Sequence, residues 1–176
     1  TLIYEETWSP KNKTNPNVTG YYTSKDGIGS GRYYVLMLDS NSASCTELFA
    51  AAVTTNLKSP IVGTNSYGKA IGQIYATTDS KGICGITSSL YFDKNRNSYH
   101  TFGFSPDFYI PDSLEAIEKA VELAKERSYK RTAGYSSEVQ PYWTTHKSLY
   151  KKSENIFSEA ELMNSLKGLA ITDFIP

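Results

Sequence analysis

The sequence predicts a mixed α/β domain, and three observations carry that prediction. Tyr33-Tyr34-Val35-Leu36-Met37-Leu38 and Pro60-Ile61-Val62-Gly63 have strand composition, and between them Glu47-Leu48-Phe49-Ala50-Ala51-Ala52-Val53 has helical composition. Ile71–Thr78 and Ile83–Phe92 are two β-rich runs joined by Asp79-Ser80-Lys81-Gly82, the pattern of a hairpin. Fourteen tyrosines and seven phenylalanines suit a β-rich body with amphipathic surface strands.

The first part of the chain, residues 1–31, is polar and rich in turn signals. Leu2-Ile3-Tyr4-Glu5-Glu6-Thr7-Trp8 has strand composition, and Thr19-Gly20-Tyr21-Tyr22-Thr23 is a second short candidate. Gly27, Gly29 and Gly31 lack the following helix and spacing of a phosphate cradle, so they read as a flexible turn. Asn12-Lys13-Thr14 and Asn17-Val18-Thr19 fit the glycosylation sequon, which has meaning only in a eukaryotic secretory protein.

Residues 32–127 form the organised core. Ser42-Ala43-Ser44-Cys45-Thr46 is a small-residue turn between the first strand and its helix, with Ser42 or Thr46 as the ordinary N-cap candidates. Glu47 reads as a first-turn acid that supports the helix by its charge. Asp93-Lys94-Asn95-Arg96-Asn97 is a polar turn, and Gly103-Phe104-Ser105-Pro106-Asp107 a structural turn before the last helix. Leu114–Arg127 follows, with Leu114, Ile117, Ala120, Val121 and Ala124 as its apolar stripe and Asp112 or Ser113 as N-cap. Residues 128–176 change character: Pro141-Tyr142-Trp143 is loop-like, and Ser158–Leu166 reads as a short capped helix in a C-terminal extension.

Composition excludes several function classes. Eighteen basic and eighteen acidic side chains balance, and no basic cluster interleaves with aromatics, which argues against nucleic acid as a partner. No apolar run approaches the roughly 20 residues of a membrane span. Cys45, Cys84, His100 and His146 do not make a zinc site, so neither metal nor cofactor is expected. The two cysteines read as reduced and structural, Cys84 within a buried strand; a disulfide cannot be established from sequence. His100 reads as surface or structural.

Chemistry concentrates at Ser44 and Lys69. A serine hydroxyl is a poor nucleophile at neutral pH and needs a base within hydrogen-bond reach. A lysine can be that base when desolvation lowers its pKa. Ser44 falls in the strand-to-helix turn, beside the free N–H groups of a helix N-terminus, which can hold an oxyanion. Lys69 falls in the glycine-bearing loop Ser66-Tyr67-Gly68-Lys69 that leaves the second strand. Taken singly, each residue is more commonly a cap or a solvated cation; their joint setting is what points to a dyad.

The stretch from Tyr33 to Arg127 resembles the catalytic core of the C-terminal processing peptidases, or tail-specific proteases. The resemblance rests on Ser42-Ala43-Ser44 with Glu47, on Val62-Gly63-Thr64 leading into Tyr67-Gly68-Lys69, on Gln73, and on Gly103-Phe104-Ser105-Pro106-Asp107. It implies a crotonase-like spiral of strands and helices and a serine endopeptidase with Ser44 as nucleophile and Lys69 as general base. It also implies the Cys45 N–H as an oxyanion donor, Gln73 as polar support, protein or peptide substrates, and an extracytoplasmic bacterial setting. Two features depart from the family pattern. Thr55 stands where members often carry an acidic residue, and no apolar strand with a Gly-Gly turn precedes Tyr33. That second departure leads us to expect a partial catalytic domain with a C-terminal extension. It also implies an open sheet edge, to be covered by the N-terminal segment, the tail, another copy or the missing part of the same protease. Two further function classes stay open at this stage: a catalytically incomplete, peptide-binding or scaffold homologue, and an unrelated β-rich surface or carbohydrate-binding module.

Overall fold

The computed structural model describes residues 2–7, 15–24, 27, 29, 31–79 and 81–142. The chain divides into two units, residues 1–140 and 141–176. Pro141 and Tyr142, read above as loop, are helical; Trp143, His146 and the helix expected over Ser158–Leu166 lie outside the described residues.

The first unit holds two sheets and two helices, with nine elements in chain order among the described residues. They are β1 (Ile3–Thr7), β2 (Asn17–Tyr21), β3 (Leu36–Leu38), α1 (Cys45–Leu57), β4 (Ile61–Gly63), β5 (Ile71–Thr77), β6 (Ile83–Asp93), β7 (Phe108–Tyr109) and α2 (Ser113–Glu126). An antiparallel sheet runs in the order β2-β1-β6-β5, and a parallel sheet in the order β3-β4-β7. The expected hairpin is β5–β6, with Thr78 N donating to Gly82 O at 2.8 Å across its turn. A bulge between Gly72 and Gln73 shifts the register along β5.

Parallel strands need cover on both faces, and β4 has it. Ile61 turns to a cluster with Ala50 and Ala51 of α1, Leu38, Ala70, Tyr99 and Phe104. Val62 turns the other way, to Ala116 and Leu123 of α2, with Phe108 and Tyr129 beside them. Ala50, Ala51, Ile61 and Val62 are fully buried. The alanines allow α1 to approach β1 and β6 as well as Ile61, so one helix serves both sheets.

One expectation needs correction, and two further features come from the structure. The buried ridge of α2 is Ala116, Ala120 and Leu123, whereas Leu114, Ile117, Val121 and Ala124 face outward. Small Ala116 meets Val62 closely, and packing against Val62 and its neighbours decides the helix rotation where apolar periodicity does not. Phe108–Tyr109, between the Gly103–Asp107 turn and the helix, adds β7 to the parallel sheet. The segment before residue 32 does not cover β3: β1 pairs with β6 and β2 with β1, and β3 keeps β4 as its one partner among the described residues.

Gly63 shows how tightly the parallel sheet is drawn together. Its φ of +122° suits glycine, and a Cβ there would lie 2.1 Å from the Leu38 carbonyl oxygen.

Candidate active site

Ser44 is the N-cap of α1 and sits at φ 55°, ψ −117°. A positive φ is costly for a residue with a Cβ, on the order of 1–3 kcal/mol, and persists only where surrounding contacts impose it. α/β-Hydrolases carry a serine on a comparably strained strand-to-helix turn. The contact imposing it here is visible: Ser44 N donates to Glu47 Oε2 at 3.2 Å, the return arm of a capping box.

Glu47 does far more than support the first turn, the role the sequence suggested. It is fully buried, and its carboxylate collects four donors. Oε1 accepts from Ser66 Oγ at 2.5 Å and Gly68 N at 2.7 Å; Oε2 accepts from Lys69 N at 2.7 Å and from Ser44 N. One carboxylate oxygen therefore receives the backbone N–H groups of both Ser44 and Lys69. The strand-to-helix turn and the lysine loop are pinned to the same atom. Ser66 Oγ in turn accepts from Phe104 N at 2.8 Å, and Tyr67 N donates to Ser42 O at 3.0 Å, so the loop is held from both sides.

Gly68 makes the loop fit. At φ +86° it lets Thr101 N donate to its carbonyl at 2.7 Å, and a Cβ would come 2.8 Å from the Thr101 carbonyl carbon. His100, in the same turn, is half-buried; burial holds its imidazole below the usual range, offset in part by a hydrogen bond with the Gly68 backbone. Beneath the site Tyr99 is fully buried, 4.9 Å from the ring of Phe104. Its hydroxyl has no hydrogen-bond partner among the described residues, and burial together with the Glu47 carboxylate pushes its pKa well up.

Ser44 and Lys69 are both half-buried. Among the described residues Lys69 Nζ has no ion pair, and no hydrogen bond links it to Ser44 Oγ. The Cys45 N–H, at the first position of α1, is not claimed by another acceptor there. Gln73 lies exposed on β5, just past the bulge, with no hydrogen bond from its side chain to Ser44, Glu47 or Lys69. Thr55 bonds back to Ala51 O at 2.5 Å and brings no charge to the site. Cys45 and Cys84 are both free thiols; Cys45 is exposed, and Cys84 is half-buried where a buried strand was expected. No group of three His, Cys, Asp or Glu among the described residues is placed to hold a metal. No described helix is long and apolar enough to cross a membrane.

Another buried carboxylate belongs to Asp107. Asp107 Oδ2 accepts from Arg131 Nη1 at 2.7 Å and from Ile61 N at 2.9 Å, and Oδ1 accepts from Thr132 N at 3.0 Å and Ala133 N at 3.1 Å. This pair fixes the start of β4, upstream of the Lys69 loop. Sequence reading singled out neither the Glu47 cage nor Arg131. The Ser-x-x-Glu spacing of a capping box was the one available signal for the former.

Residues 3–110 match the model of peptidase family S41. Over 89 residues the chain is 26% identical to a carboxy-terminal-processing protease of Bartonella bacilliformis, covering 51% of this chain and 20% of that protein. Over 75 residues it is 32% identical to the chloroplastic carboxyl-terminal-processing peptidase 1 of Arabidopsis thaliana, covering 42% and 15%. The chain thus spans a fifth or less of the length of these two relatives. Among solved structures, the photosystem II D1 C-terminal processing protease superposes with a TM-score of 0.52 at 18% identity, covering 67% of this chain and 30% of that one. A lipoprotein from Streptococcus agalactiae gives 0.55 at 14% identity, covering 72% and 45%. These likenesses show a shared fold, and the family match reaches back to β1, beyond the stretch from Tyr33 that motifs alone had marked. The chain belongs to peptidase family S41.

Proposed function

We propose that the protein carrying this chain is a serine endopeptidase of the C-terminal processing type, acting on protein or peptide substrates. The observation that carries the reading is the Glu47 carboxylate, which binds Ser44 and Lys69 by their backbones, while Lys69 Nζ has no carboxylate partner among the described residues. A salt bridge would hold the amine protonated; a lysine base needs the opposite setting.

In this mechanism Ser44 Oγ attacks the peptide carbonyl carbon while neutral Lys69 Nζ takes its proton. The carbonyl oxygen gains the negative charge, and the Cys45 N–H at the helix N-terminus stabilises it. Collapse of the tetrahedral species breaks the C–N bond, and Lys69 returns the proton to the departing amine. Water, deprotonated by Lys69, then attacks the acyl-enzyme, and Ser44 regains its proton. Gln73 would support substrate or base from β5, the fold would continue as a crotonase-like spiral, and the working compartment would be extracytoplasmic.

A second reading is peptide binding without turnover, favoured by the missing hydrogen bond between Lys69 Nζ and Ser44 Oγ among the described residues. Fluorophosphonate labelling of the full-length protein separates the two. Labelling at Ser44 that disappears in Lys69→Ala and Lys69→Arg supports the dyad, because guanidinium stays protonated. Labelling or peptidase activity retained in Lys69→Arg refutes it.

A further inference from the structure

A pocket of about 210 Å³ opens at the carboxyl end of α1, between the helix, the turn after β6 and the segment after α2. Ser44 caps the other end of this 13-residue helix, roughly 20 Å away at the rise of an α-helix. The pocket is therefore separate from the candidate active site. Lys58, which ends the helix in the left-handed conformation, lines it together with Asn95 and Arg131, and Phe104 and Tyr135 add aromatic surface.

The charged side chains of the lining are both cations, Lys58 and Arg131, and no aspartate or glutamate among the described residues lines it. The Arg131 side chain is 6% exposed, yet its donors are not used up. Nη1 donates to Asp107, and Nη2 donates to Ser105 O and Gly134 O. The remaining N–H groups, one on Nε and a second on Nη1, have no acceptor among the described residues. A donor held so far from water costs free energy until an acceptor meets it. Asp107 lies outside the lining and balances the Arg131 charge, so the net positive charge of the pocket is that of Lys58. The Lys58 amine forms no ion pair among the described residues. Asn95 gives its backbone N–H to Asp93, and its side-chain amide carries no hydrogen bond among the described residues. Lys58 O, a carbonyl at the negative end of the helix, is taken up by Arg131 N at 2.8 Å and does not face a ligand unpaired.

We propose that this pocket binds a small oxyanion, a carboxylate or phosphate group, held by the Lys58 amine, the spare N–H groups of Arg131 and the Asn95 amide. Three unspent donors, one net positive charge and no competing carboxylate make a site for an anion and not for a cation or a neutral apolar group. The volume falls below the roughly 300–1,000 Å³ of drug-sized sites, which suits a free small anion. A bound ion would also join the end of α1 to the β6 turn and to the Arg131 segment. None of this depends on the role of Ser44.

The test titrates the full-length protein with inorganic phosphate, and separately with acetate, at fixed ionic strength and follows the heat of binding. At least one of them should saturate with a Kd of about 1 mM or tighter, as two or three charge-assisted contacts supply. Lys58→Gln, at an exposed position, should weaken that binding about tenfold, and Asn95→Ala should weaken it about threefold. Lys125→Gln, on the exposed face of α2 and outside the lining, should leave it unchanged. Saturation by one anion and not the other supports the site and names the group it takes. Saturation by neither overturns it, as does binding that both Lys58→Gln and Asn95→Ala leave intact. Equal weakening by Lys125→Gln and Lys58→Gln marks general charge attraction and overturns it too.

Discussion

Asp107 and Glu47, two of the buried carboxylates of this domain, are neutralised in different ways. Asp107 has a guanidinium: Arg131 lies 2.7 Å away, with side-chain exposures of 6% for the arginine and 0% for the aspartate. Glu47, equally buried, has no cation among the described residues; three backbone N–H groups and one hydroxyl surround it. The difference suits their positions. An ion pair makes a stiff clamp, and Arg131 extends it by donating to Ser105 O and Gly134 O. A carboxylate satisfied by amide dipoles organises a lysine loop without drawing the lysine's amine into a salt bridge. The clamp holds the scaffold, and the dipole cage orders the Lys69 loop through backbone N–H groups and the Ser66 hydroxyl.

This contrast can be broken experimentally, starting with the cage. Glu47→Ala strands four donors around an empty space. At about 1.5–3 kcal/mol for each hydrogen bond to a charged group, only partly recovered by water, the loss should exceed about 4 kcal/mol in denaturant unfolding. Retention of stability within 1 kcal/mol, as an order of magnitude for an ordinary surface change, would show that the cage is ornamental.

The clamp comes next. Arg131→Met leaves Asp107 charged and buried, at a cost of about 3–5 kcal/mol. Pairing it with Asp107→Asn should recover part of that loss, which a double-mutant cycle reads directly. Equal losses in the single and double variants would mean that packing, and not charge, sets the value.

Gly63→Ala probes the sheet between the two carboxylates. Its positive φ and the 2.1 Å approach to Leu38 O predict destabilisation of about 2–3 kcal/mol or displacement of β3 from β4. A variant as stable as the parent would show that the two strands can separate freely.

The smallest effect belongs to His100, beside the cage. Its folded pKa lies below the unfolded value near 6.5. The unfolded chain therefore binds the proton first as pH falls, so stability declines below about pH 6.5 and levels off under the folded value. His100→Gln should flatten that part of the stability curve, and an unaltered slope would assign it to other groups.

How far the sequence reached differs between these regions. The strand-turn-helix at Ser44 was legible because small residues, an apolar strand and an alanine-rich helix lie next to each other in the chain. The hairpin was legible because its turn is local. Asp112 was a readable cap for the same reason, and it accepts from Leu114 N and Glu115 N. The rotation of α2 was not legible, since Leu114, Ile117 and Val121 make the more apolar stripe, and packing against Val62 and its neighbours Val35, Phe108 and Ile110 selects Ala116 and Leu123.

By itself the sequence determined the α/β class and the element order around Ser44. Short-range propensity, capping and turn chemistry suffice for these, because each depends on neighbours within a few positions. Tertiary structure alone decided what Glu47 does, that Asp107 meets Arg131, and that β1 and β2 extend the antiparallel sheet. Those outcomes join residues about 20 or more positions apart. Their pairing follows from closing the chain and from the demand that every buried polar group find a partner, and neither appears in a local pattern.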